Sequence, residues 1–72
     1  MKYEEFKDKL EKEVVLTTLE DDVIQGTLFL GDTEYDSLSG EDEVDILSYK
    51  GGYQSVPFSK IKEVQLARIT TE

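Results

Sequence analysis

Cysteine, histidine and tryptophan are all missing from this chain, and each absence removes a class of chemistry. Without cysteine there is no disulfide, thiolate metal site or sulfur nucleophile. Without imidazole, the usual base near neutral pH and the commonest metal ligand are both gone, which argues against hydrolytic and transition-metal chemistry. No apolar run approaches the roughly 20 residues needed to span a bilayer. The first residues alternate in charge, where a leader would show a basic stretch and then an apolar one. The expectation is a soluble, cytoplasmic protein with no membrane partner.

Basic residues are scarce as well: eight lysines and arginines stand against 17 acidic residues, for a formal net charge of −9. Their placement is more informative than the total. Lys2, Lys7, Lys9 and Lys12 balance Glu4, Glu5, Asp8 and Glu11 at the start of the chain. Residues 13–49 then carry eleven acidic residues and no basic one, and only Lys50, Lys60, Lys62 and Arg68 return positive charge afterwards. Nucleic-acid binders draw affinity from a basic face that displaces counterions from phosphates. Any such face has to lie in the last third of the chain. The acidic belt equally serves solubility alone.

What is present describes one small domain. At 72 residues and 38% hydrophobic content, the chain buries only about 60% of the surface its unfolded form exposes. Residues 2–13 space Tyr3, Phe6 and Leu10 at three and four, which predicts a short amphipathic helix lying on something apolar. Twelve residues of helix are marginal alone in water. From Val14 the periodicity changes to two, with β-branched residues: strands are predicted over 14–19 and 23–30, with Glu20, Asp21 and Asp22 as the turn between them. After an acidic loop come strands over 43–49, 53–58 and 62–67, joined by the glycine turn at 50–52 and a short connection at 59–61. Residues 68–72 read as a frayed tail. Five short strands and a leading helix predict a mainly β fold, a strongly bent antiparallel sheet closing into a small SH3-like barrel.

Within the second strand and the loop after it, Gly26, Leu28, Asp32 and Asp36 form the pattern G-x-L-x-x-x-D-x-x-x-D. Together with the element order, this resembles the Sm and LSm family over roughly residues 2–67. The family carries asparagine where Asp36 stands. The physical logic agrees with the fold: a glycine lets the strand curve, Leu28 enters the core, and Asp32 caps the following turn. The family's second motif falls on Phe58, Ser59, Lys60 and Ile61, of which Phe58, Lys60 and Ile61 fit. The resemblance implies a noncatalytic binding module in RNA-linked regulation or ribonucleoprotein-type assembly. It also implies a ring in which the fourth strand of one subunit pairs with the fifth of the next. Pro57 lies in that fourth strand and removes a backbone donor, so it requires an edge or a strand end.

The uridine pocket that the resemblance implies is poorly provided for. Its positions carry Glu34, Asp36 and Ser59: the two carboxylates repel phosphate and offer no stacking platform, and the serine offers no guanidinium plane. RNA contact, if made, falls to Tyr35, Lys50, Lys60, Lys62 and Arg68. The competing reading makes the acidic residues the binding surface. Glu20, Asp21, Asp22, Glu41, Asp42 and Glu43 would then mimic phosphate against a basic nucleic-acid-binding protein, in an inhibitor resembling other acidic Sm-like proteins in outline. Asp32, Glu34, Asp36 and Glu43 fall at calcium-loop spacing, but position six is Ser37 in place of glycine and strands flank the loop, so no metal site is expected. No cofactor motif is present, and no serine has a histidine partner; catalysis is not expected.

Overall fold

The computed structural model describes residues 1–31, 40–48 and 51–67. Five strands form one antiparallel sheet: β1 (Glu13–Thr18), β2 (Val23–Leu30), β3 (Glu43–Leu47), β4 (Tyr53–Pro57) and β5 (Ile61–Leu66). Their spatial order is β4-β3-β2-β1-β5, so β4 and β5 are the two edges. Among the described residues no helix is long and apolar enough to cross a membrane.

Alternation sorts the strands into two faces, with period two except in β5, where the register shifts opposite Thr17 and Thr18 and the buried positions are three apart. Val14, Leu16, Leu28, Val44, Ile46, Val56, Ile61 and Val64 turn to one side and form the core with Phe6. Valine and isoleucine suit this pleated, half-buried surface because their branched side chains pack well on it. The β1–β2 turn is built by Thr18: its hydroxyl accepts from the amides of Glu20 (3.2 Å) and Asp22 (3.1 Å), while Asp21 takes a φ of 68°. Aspartate tolerates that left-handed conformation better than most residues.

Gly26 is required by contact. A β-carbon there would collide with the carbonyl oxygen of Leu47 and lie 2.8 Å from the Ile46 Cγ2. The strand thus passes against β3 more closely than any side chain permits. Pro57 is the last residue of edge strand β4. The β3–β4 register pairs Pro57 with Glu43, and the amide of Phe58 bonds the Asp42 carbonyl. By the alternation of an antiparallel ladder, the position of Pro57 points its nitrogen away from β3, where no donor is needed.

The leading segment departs from the sequence expectation. In place of one amphipathic α-helix over residues 2–13 there are two 3-10 turns, Tyr3–Glu5 and Lys7–Lys9. Phe6 separates them at φ −136°, Leu10 is extended, and Glu11 sits at φ 64°. The physical reason lies in the pairing of residues 11 and 12 with β2: the Glu11 amide bonds the Leu28 carbonyl (2.6 Å) and the Leu28 amide bonds the Lys12 carbonyl (3.0 Å). These bonds supply backbone partners that a short, marginal helix would have to forgo. The apolar purpose survives the change of shape. Phe6 is completely buried, and Leu10 packs partly against the core.

Candidate binding surfaces

The second-motif segment lies in a 3-10 turn, Phe58–Lys60, between β4 and β5. From inside, the Phe58 ring meets Phe6 edge to face at 5.1 Å, and Ile61 is 4% exposed. From outside, Glu41 grips the turn: one carboxylate oxygen accepts from the Ser59 amide (2.9 Å), the other from its hydroxyl (2.8 Å). The Lys60 carbonyl accepts from the Leu19 amide, and its side chain is exposed. Phe58, Lys60 and Ile61 are therefore brought together with Glu41, a residue assigned by sequence to the acidic surface.

That grip sets the protonation behaviour of Glu41. The backbone bond from Ser59 and then its hydroxyl hold the carboxyl below its usual range; desolvation raises it by less, and the nearby terminal ammonium and Lys60 add still weaker pulls downward. A depressed folded-state pKa gives stability that is present above the unfolded value and lost as pH falls through the folded one. Glu41→Gln keeps one acceptor oxygen and loses the charge. The variant is expected to melt lower than the parent near neutral pH, and the gap should close as acid protonates the parent. Melting curves across the acid range check this.

The other acidic candidates differ in standing. Glu20, Asp21 and Asp22 are exposed on the β1–β2 turn. Asp42 is exposed and Glu43 is buried at 8%. Of the candidate cations, Lys62 is drawn to Asp21 at 3.0 Å across the β1–β5 edge, so its charge is partly answered within the molecule. Gly26 and Leu28 lie in β2, with Leu28 wholly buried. Asp32, Glu34, Tyr35, Asp36, Lys50 and Arg68 lie outside the described residues. Among the described residues no cluster of three or more acidic side chains is disposed to hold a metal.

Two features escaped sequence reasoning. The Glu41–Ser59 contact joins residues 18 apart, a distance at which no local spacing announces a pair. A group on the outer face of the sheet was also missed: Phe29, Leu47 and Tyr53 are 37%, 42% and 69% exposed. The alternation within each strand already put them opposite the core positions, and only the register reveals that they are neighbours. Compared with protein-family models, curated proteins and solved structures, the chain matches none of them.

Proposed function

We propose that this chain is a noncatalytic binding module with an Sm-like barrel, working in RNA-linked regulation or ribonucleoprotein-type assembly. One observation carries the reading: among the described residues the two edges of the sheet are β4 and β5, the pair through which the resemblance implies subunits join. Unpaired edges are a liability that ring closure removes. Gly26 at a close backbone approach, Leu28 in the core and the 3-10 turn before β5 agree with the same architecture. RNA contact in this reading uses Lys50, Lys60 and Arg68, with Lys62 shared with Asp21. The uridine pocket is not functional, since Ser59 supplies no stacking plane and is engaged by Glu41.

The Lys62–Asp21 pair favours a second reading, because it removes part of the little positive charge available while Glu20 and Asp22 remain exposed. The chain is then an acidic inhibitor or nucleic-acid mimic that occupies a basic site on a partner protein. Light scattering and filter binding separate the two. The first expects a ring-sized oligomer that retains uridine- or adenine-rich RNA. A monomer that binds neither RNA overturns it and leaves the second.

A further inference from the structure

The outer face of the sheet is open at Phe29, Leu47 and Tyr53, while Glu43 at one end of it is buried. In register, Thr27, Leu47 and Tyr53 form one row across β2, β3 and β4, and Phe29, Asp45 and Ser55 form the next. Exposure of 42% at Leu47 is notable because β3 is an interior strand with neighbours on both sides. Only its outer side is open. Three large apolar side chains thus surround Asp45, whose carboxylate is fixed by the Ser55 hydroxyl at 2.7 Å. Glu13, held by the Gln25 amide at 2.9 Å, borders the patch at Thr27. No outward-facing position of β1 to β4 carries lysine or arginine. An apolar patch rimmed by charge of one sign marks an interaction site for the opposite sign.

We propose that the outer face of β2, β3 and β4 docks a cationic amphipathic helix of another protein, seated on Phe29, Leu47 and Tyr53 around Asp45. The inference rests on the acidic protein-binding reading and moves its surface from the β1–β2 turn to the sheet. Three features select the occupant. A second copy of this chain brings a net charge of −9 to an already acidic face. A strand added at the β4 edge would lie beside Tyr53 alone, with Leu47 and Phe29 one and two strand spacings of about 4.8 Å further in. A helix, about 10 Å across with its side chains, can lie over all three strands. Its apolar stripe covers the aromatic and aliphatic anchors, and its flanking lysines or arginines face Asp45 and Glu13.

The test uses the full chain, labelled with nitrogen-15, and three probes: a helical peptide with leucine on one face and lysine on the other, an oligolysine of equal charge, and a uridine-rich RNA. The leucine–lysine peptide is expected to shift amides in 27–30, 45–47 and 53–55. Binding should weaken about tenfold in Leu47→Ser, as for an interface anchor. That variant removes an exposed side chain, and its unliganded spectrum reports whether the fold is kept. Shifts centred on 19–23, weakened by Glu20→Gln and indifferent to Leu47→Ser, would overturn this surface while sparing the acidic protein-binding reading. Equal binding of oligolysine would overturn it too, since charge alone would then suffice. If neither peptide binds, or RNA alone does, both fall together.

Discussion

Gly26→Val is expected to remove a large share of the domain's stability, about 3 kcal/mol or more. The added β-carbon alone would overlap the Leu47 carbonyl oxygen and reach Ile46, and valine's branches enlarge the conflict. A side chain can rotate away from such a contact; a carbonyl in the β3 backbone cannot move without disturbing its pairing with β2 and β4. Overpacking of this kind costs about 3 kcal/mol or more where relief is blocked. A domain of this size holds roughly 4–11 kcal/mol in total, at about 0.05–0.15 kcal/mol per residue. Gly40→Ala separates contact from conformation: φ there is 79°, but nothing lies within 4 Å of the added carbon. It should cost only about 1 kcal/mol through strain. Urea titration of both variants checks the ranking. Equal, small effects would mean that β2 and β3 do not approach as described.

That glycine also shows what could be read in advance. A glycine inside an otherwise apolar, alternating strand signals a close approach, and the strand bounds around it, Val23–Leu30, agree with the expectation from residue pattern. Alternation was legible in β1 and β3, where Val14 and Leu16, and Val44 and Ile46, are buried two apart; in β5 the buried Ile61 and Val64 are three apart, because the register shifts opposite Thr17 and Thr18. The leading segment was less transparent. Spacings of three and four are shared by an α-helix and by successive 3-10 turns, and Tyr3, Phe6 and Leu10 satisfied both. What decided between them was the bonding of residues 11 and 12 to Leu28, a contact 16 or more residues distant and invisible to any local window. The same holds for the surfaces. Charge runs locate Glu20, Asp21 and Asp22 directly, because adjacent residues in a turn stay adjacent in space. The Glu41–Ser59 grip and the row of Leu47 with Tyr53 depend on which strand lies beside which, and so emerge only with the topology.

Phe6→Ala is expected to be the costliest truncation in the leading segment and to release that segment from the sheet. Phe6 has no exposed surface, and its ring meets Phe58 edge to face (5.1 Å, 88°) on one side and Tyr3 (5.9 Å, 76°) on the other. Removing a buried phenylalanine costs about 3–5 kcal/mol, depending on how far the site collapses. That figure includes the edge-to-face contacts, which contribute about 0.5–1.5 kcal/mol each beyond the area buried. Collapse is difficult here, because the core residues it joins sit mostly on paired strands and Phe58 is held in its own turn. Tyr3→Ala, at a residue already 40% exposed, should cost far less. Denaturation sets the ranking, and amide exchange gives the location: in Phe6→Ala, protection should fall first at the Phe6 and Lys9 turn bonds and at the Glu11–Leu28 bond. A loss below about 1 kcal/mol, the usual scale of surface changes and minor contacts, would mean that the leading residues ride on the sheet without completing its core. The architecture would then rest on the five strands alone.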